Sequence, residues 1–323
     1  MRYRKLGYAD MQFSVIGLGT WAMGGADWKY GWGPQDDDES IKTIHHALDL
    51  GINWIDTAAV YGLGHAEDVV GKALKGMREK PFVATKCSRK SNAQGELYSE
   101  LKRESVLQEA EDSLRRLDVE VIDLYQIHWA RPEEDIEEGW EAITQLIKDG
   151  KVRYGGVSNF QIEHMQRCQS IYPIASLQPP YNMLVRYIED DILEYCETEN
   201  IGIICYSPLY KGMFTGKYTK ERIQQLPESD HRHRDSHFQE PELSVNLELI
   251  DGLKEIAQQR DITVAQLTLA WTLRHPQMTA AIVGGRKPEQ LDETAAAGDI
   301  QLSDSETTAI QELLLRRDQV LSQ

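Results

Sequence analysis

The feature that most constrains this chain is an alternation. Eight short runs rich in β-branched and other apolar residues recur at 15–18, 53–56, 82–86, 122–127, 152–157, 175–178, 202–206 and 280–283. Between them lie stretches of helical spacing. Residues 40–50 place Ile41, Ile44 and Leu48 on one face, and 101–117 and 136–148 behave alike. Gly51, Gly150 and Gly202 stand where helices would stop. Eight βα units in 323 residues predict a (β/α)8 TIM barrel occupying 1–323 as a single domain, with a doubly wound sheet as the alternative. Ahead of the first strand, residues 3–5 and 12–14 flank Gly7-Tyr8-Ala9-Asp10. That pattern predicts an N-terminal β-hairpin plugging one end of the barrel.

Charge narrows the partners. A net charge of -17 argues against a general nucleic-acid or anionic-membrane surface, so an anionic ligand needs its own cluster of Lys and Arg. Cys87, Cys168, Cys196 and Cys205 form no CxxC or zinc spacing, which reads as free thiols in a reducing cytoplasm. Cys87 reads as a small core residue. The N-terminus has no long apolar segment of the signal-peptide kind, and no apolar run approaches the ~20 residues of a membrane helix. Two connections are long. Residues 24–38 carry Trp28, Tyr30 and Trp32, and 219–244 is polar and includes His231, His233 and His237. The histidine spacing matches no strong metal motif, so a solvated loop is the expectation there, and no metal site is expected in the chain.

Gly17-Leu18-Gly19-Thr20-Trp21-Ala22 fits GxGxxA, but a dinucleotide fingerprint needs a helix to begin at its glycines, and Met23-Gly24-Gly25 continues as loop. The strand ends are more telling. Asp56 closes the second strand and Tyr61 follows it, Lys86 closes the third, and His128 follows the fourth. The C-terminal strand ends form the catalytic face of a barrel, so the four can converge. Singly, each has an ordinary structural reading: a turn, an exposed strand end, a satisfied core histidine. Together they make a proton donor. A lysine ammonium lowers the pKa of a neighbouring tyrosine, an aspartate fixes the lysine, and a histidine orients a carbonyl. With no Ser or Cys nucleophile, the set suits carbonyl reduction with hydride from a nicotinamide.

These residues resemble the aldo-keto reductases. The matching segments are GLGTW (17–21), DTAAVYG (56–62), ATK (84–86), DLYQIHW (123–129), GVSNF (156–160), LQPPYN (177–182), YSPL (206–209) and IVGGRKPEQLDET (282–294). The pattern looks most like the bacterial branch that includes general stress protein 69. The resemblance implies a catalytic tetrad of Asp56, Tyr61, Lys86 and His128 and bound NADP(H). It implies that Ser158, Asn159 and Gln178 hold the nicotinamide amide and that Tyr206 stacks on its ring. Thr20 and Trp21 would approach the ribose and substrate, and Ser207, Pro208, Leu209, Lys211 and Gly212 the pyrophosphate. Gly284, Arg286 and Gln290 would sit at the 2′-phosphate, with Lys211, Lys217 and Lys287 adding positive charge, and Glu293 at the adenine. Thr294 stands where the family often has Asn.

The expected substrate pocket is Trp21, Trp28, Tyr30, Trp32 and Trp129, an aromatic wall for a small-molecule carbonyl. Two other readings compete with a reductase. One is a cofactor-binding regulatory subunit of the channel beta-subunit type. The other is a Schiff-base aldolase using Lys86, which leaves Arg286 and GVSNF without a role. The physiological substrate, the direction of flux and the oligomeric state are open at this point.

Overall fold

The chain begins with an antiparallel hairpin, β1 (Tyr3–Lys5) and β2 (Gln12–Ser14), at the predicted place. The structure, a computed structural model, describes residues 1–25, 30–92, 94–228 and 230–322. Eight parallel strands follow and close on one another in sequence order. They are β3 (Ile16–Gly19), β4 (Trp54–Asp56), β5 (Phe82–Cys87), then, after a second small hairpin of β6 (Arg89–Ser91) and β7 (Leu97–Ser99), β8 (Ile122–Ile127), β9 (Val152–Ser158), β10 (Ser176–Gln178), β11 (Gly202–Cys205) and β12 (Met278–Gly284). Helices separate them: α1 (Asp37–Asp49), α2 (His65–Leu74), α3 (Arg103–Leu117), α4 (Ile136–Lys148), α5 (Ile162–Gln169) and α6 (Ile192–Thr198). Beyond β11 come α7 (Lys220–Gln224), α8 (Glu242–Gln259) and α9 (Val264–Thr272), and after β12 come α10 (Pro288–Ala296) and α11 (Asp304–Leu321). This is a (β/α)8 barrel, and the doubly wound alternative is set aside.

Strand periodicity builds the barrel's interior in layers. Trp54, Ala84 and Leu124 lie in an apolar layer with Ile204 and Ala280. Two residues further along the same strands stand Asp56, Lys86 and Gln126, all buried. The interior thus turns from apolar to polar over one pleat, toward the C-terminal mouth. The opposite mouth is closed by the N-terminal hairpin. Leu6, Met11 and Phe13 join the apolar layer. Phe13 stacks on Trp54 with ring centroids 4.6 Å apart, and the Trp54 indole N–H donates to the Ser14 carbonyl at 2.9 Å.

Three local readings differ from expectation. Gly51 and Gly150 do end helices, at φ 84° and 75°, but Gly202 opens β11. Asn200, at φ 54°, makes that stop. Gly202 instead admits the hairpin, since a Cβ there would lie 2.7 Å from Leu6 and 2.8 Å from the Gly7 nitrogen. Second, 219–244 is not plain loop: it holds α7, two 3-10 turns and the first turn of α8. Thr219 caps α7, Asp230 and Asp235 cap the short turns, and Phe238 is buried. Third, the β6–β7 hairpin went unforeseen, although Asn92-Ala93-Gln94-Gly95 is a turn-rich tetrapeptide between short strands.

Candidate active site

The polar layer brings the four predicted residues together. Lys86 lies on β5, two residues beyond Ala84, which is in register with Asp56 on β4. Its ammonium donates to Asp56 Oδ2 at 2.7 Å, to the Thr57 carbonyl at 2.9 Å and to the Tyr61 hydroxyl at 3.4 Å. Tyr61 reaches it because β4 runs into a tight turn. Gly62 takes φ 59°, and a Cβ on it would fall 2.1 Å from the Gly24 carbonyl oxygen, so only glycine lets the two loops meet. The His128 ring stands edge-on to Tyr61 at 5.9 Å, and Trp21 lies near parallel to Tyr61 at 6.4 Å.

The electrostatics differ from expectation in one respect. Tyr61 is held well above its ordinary pKa, first by burial and then by the Asp56 carboxylate. The expected lowering by Lys86 does not prevail, because that ammonium is paired with Asp56. Lys86 is itself lowered by burial, with Asp56 opposing. Burial holds His128 well below the usual imidazole value, and the charges of Lys86 and Arg89 push the same way. At neutral pH the set is a protonated phenol, a neutral imidazole and an ion pair. Such a set can donate a proton to an oxygen placed between Tyr61 and His128.

A cavity of about 610 Å3 opens over these groups and runs to the start of α10. Ser158, Asn159, Gln178 and Tyr206 line its middle. They are tied to each other and to the tetrad: Tyr206 donates to Asn159 Oδ1 (2.8 Å), Ser158 to the Gln178 carbonyl (2.8 Å) and Gln178 to Asp56 Oδ1 (2.8 Å). Ser207, Pro208, Leu209, Lys211 and Gly212 line the next stretch. Ser207, Lys211 and Gly212 have φ of 55°, 53° and 86°, a run of left-handed backbone of the sort that makes anion-binding concavities. Lys211 pairs with Asp235 at 2.5 Å, and Arg232 packs 5.1 Å from the Trp32 ring, so the 219–244 segment folds against both walls of the cavity.

Gly284, Arg286 and Gln290 line the far end. Arg286 bonds the Trp32 carbonyl (3.1 Å), Gln35 (2.8 Å) and the Pro34 carbonyl. Five of the residues expected at the cofactor do not line the cavity, Lys287 at the N-cap of α10 among them. Thr20 is buried beneath it, donating to the Asp56 carbonyl at 3.2 Å. Lys217 and Glu293 pair with each other at 3.0 Å. The Thr294 side chain turns into its own helix toward the carbonyls of Gln290 and Leu291, as Ser and Thr hydroxyls do inside helices.

Of the expected pocket, Trp21, Tyr30, Trp32 and Trp129 line the cavity, and Trp28 lies outside the described residues. Val60, Arg89, Leu97 and Tyr210 also line it and were not foreseen. Arg89 and Leu97 come from the missed hairpin, so the turn at 92–95 was the signal. Cys87, beside Lys86, is buried, and burial pushes its thiol well up, which makes it a core residue rather than a nucleophile.

The sequence model of the Aldo/keto reductase family matches residues 15–315, and the chain belongs to that family. It is 39% identical over 297 residues to aldo-keto reductase YhdN of Bacillus subtilis (strain 168), covering 90% of this chain and 87% of the relative. It is 32% identical over 327 residues to the NADH-specific methylglyoxal reductase of Escherichia coli (strain K12), covering 97% and 98%. Among solved structures, glycerol dehydrogenase AKR11B4 from Gluconobacter oxydans superposes with a TM-score of 0.89 at 39% identity, covering 98% of this chain and 95% of that one. Among the described residues no helix is long and apolar enough to cross a membrane.

Proposed function

We propose that this chain reduces aldehydes or ketones to alcohols with NADP(H), and that Tyr61 is the proton donor. The observation that carries the reading is the buried Asp56–Lys86 pair with Tyr61 and His128 at the mouth of one cavity. NADP(H), when bound, supplies or accepts the hydride. The residues present fit it. One continuous cavity joins the tetrad to Arg286 and Gln290, and the Nδ1 of His128, which lines it, lacks a partner among the described residues.

On this reading Ser158, Asn159 and Gln178 orient the carboxamide, and Tyr206 forms one face of the nicotinamide slot. The curved backbone at Ser207–Gly212 takes the pyrophosphate. Arg286 and Gln290, with Lys287 at the start of α10, take the 2′-phosphate, where guanidinium geometry and a helix N-terminus both favour an anion. The carbonyl oxygen receives its proton from Tyr61 between Tyr61 and His128, as the carbon gains the hydride. Lys86, 3.4 Å from the hydroxyl, stabilises the phenolate left behind. The aromatic wall excludes water. A Schiff base at Lys86 is disfavoured by its Asp56 partner and its complete burial. Four free, buried cysteines accord with a reducing cytoplasm, and residues 1–323 are read as one domain.

The test follows NADPH oxidation with a panel of aldehydes, wild type beside Tyr61→Phe, with cofactor binding measured for both. Loss of general-acid catalysis lowers turnover by about 10²- to 10⁴-fold while binding persists. Tight NADPH binding without turnover on any aldehyde would transfer the reading to a regulatory subunit. NADH used as well as NADPH would remove the 2′-phosphate role of Arg286.

A further inference from the structure

One cationic side chain in the cavity is not used by the tetrad or by the proposed cofactor contacts. Arg89 lines the cavity, and its charge reaches His128. Its direction is fixed by the hairpin. Arg89 is in register with Ser99, Lys90 with Tyr98 and Ser91 with Leu97, so Arg89, Ser99 and Leu97 share one face and Lys90 takes the other. Lys90 binds Glu100 at 2.8 Å and Ser105 at 3.1 Å, clamping the hairpin onto α3. The opposite face, with Arg89 and Leu97, is thereby turned to the cavity.

Arg89 spends one of its five N–H groups on Ser99 Oγ at 3.0 Å. Other arginines of this acidic chain sit on carboxylates: Arg116 on Glu67, Arg153 on Asp123, Arg167 on Glu137 and Arg274 on Glu189. Among the described residues Arg89 has no such partner. Its charged and ionisable surroundings are a phenol and a second cation. Burial lowers Arg89 most, the Tyr30 phenol opposes, and the charge of Arg131 adds to the lowering; Arg131 packs 5.7 Å from the Trp129 ring. A partly buried guanidinium with a like charge in its surroundings gains when an anion joins it. In a chain of net charge -17, an anionic substrate would be repelled everywhere except at such a spot.

We propose that Arg89, backed by Arg131 at the rim, is an anion-recognition point in the substrate half of the cavity. The carbonyl substrates then carry a carboxylate or phosphate group remote from the carbonyl. The carbonyl lies at Tyr61 and His128, the chain between them lies against Trp129 and Leu97, and the anion meets the guanidinium fork. This rests on the reductase reading above.

The test compares 4-formylbenzoate, its methyl ester and 4-formylphenyl phosphate as substrates of wild type, Arg89→Gln and Arg89→Lys. A charge-assisted contact predicts that wild type prefers the acid over the ester by about 10- to 100-fold in kcat/KM, carried mainly by KM. Arg89→Gln brings that ratio near one, and Arg89→Lys restores part of it. The ratio cancels any common effect of the substitution on His128 or on folding. The phosphate arm shows which anion the site favours. A ratio near one in wild type, or one unchanged in Arg89→Gln, overturns the proposal. Benzoate binding, followed by tryptophan fluorescence with NADPH present, needs no turnover and is expected to weaken about tenfold in Arg89→Gln. Arg89-dependent benzoate binding with no aldehyde reduced would refute the reductase reading and leave the anion point standing. Turnover without Arg89 dependence would do the reverse.

Discussion

Asp56 and Lys86 are buried to 4% and 0% side-chain exposure, and that burial sets how they respond to substitution. Removing one partner of a buried pair leaves an uncompensated charge, at a cost of about 3–5 kcal/mol. Lys86→Met leaves the Asp56 carboxylate with one remaining side-chain donor, Gln178 at 2.8 Å, and belongs at the upper end of that range. Asp56→Asn keeps a side-chain oxygen for Lys86, which also retains the Thr57 carbonyl at 2.9 Å, and belongs at the lower end. The double variant carries neither charge, and its amide faces Gln178, so its loss falls to about 1–2 kcal/mol. The coupling energy is then at least about 4 kcal/mol, read from urea unfolding midpoints and slopes of the four proteins. Turnover stays lost in the double variant although its fold recovers, which separates the catalytic role of the pair from its structural one. Losses that add to within about 0.5 kcal/mol would show that Asp56 and Lys86 do not depend on each other in the fold and would refute the reasoning.

Three further outcomes are expected. With the Tyr61 phenol held well above and the His128 imidazole well below their ordinary values, the reduction rate at saturating substrate is flat from about pH 6 to about pH 9, and a basic limb inside that window would mean that Lys86 governs Tyr61 after all. Gly62→Ala forces a Cβ against the Gly24 carbonyl at φ 59° and costs more than the ~1–3 kcal/mol of left-handed strain alone; a thermal midpoint equal to wild type would contradict this. Glu109, buried behind β5, has its carboxyl pushed up to about 7, chiefly by burial, so the folded state binds its proton more tightly than the unfolded chain does. Its contribution to stability is present at acid pH and is lost as pH rises from about 4.3 to about 7; unfolding of wild type against Glu109→Gln reads this as a difference of about 3 kcal/mol between pH 4 and pH 8, and parallel pH profiles would exclude it.

The barrel was legible because parallel strands buried on both faces are continuous apolar runs, and eight of them spaced by helical patterns leave few topologies. Each barrel strand falls within two residues of its expected place. The hairpin at 3–14 was legible from its turn. What escaped was structure held by side chains distant in sequence. The β6–β7 hairpin is three residues a strand and lacks apolar alternation; its stability comes from Lys90 reaching Glu100 and Ser105. The 219–244 segment is polar, yet Arg232 and Asp235 fold it onto Trp32 and Lys211. Lys217, Glu293 and Thr294 match the family's pattern in sequence, but a side chain turned to its neighbour or into its own helix cannot be told from one turned to a ligand by residue type alone.

Tyr61 shows why residue identity and proximity do not determine a pKa. Lys86 lies 3.4 Å from the phenol, and taken by itself it would lower the pKa. The same ammonium lies 2.7 Å from Asp56, whose carboxylate raises the phenol in its turn, and the cost of burying a phenolate is the larger cause. A phenol held this way remains protonated throughout the neutral range. In the proposed reaction it would yield its proton only as negative charge develops on an oxygen bonded to it, so that proton transfer would accompany reduction and not precede it. The reverse reaction needs a phenolate that this environment disfavours, so alcohol oxidation should accelerate with rising pH where reduction stays flat. Burial first and the Asp56 carboxylate second therefore keep Tyr61 protonated, the state the proposed reduction needs.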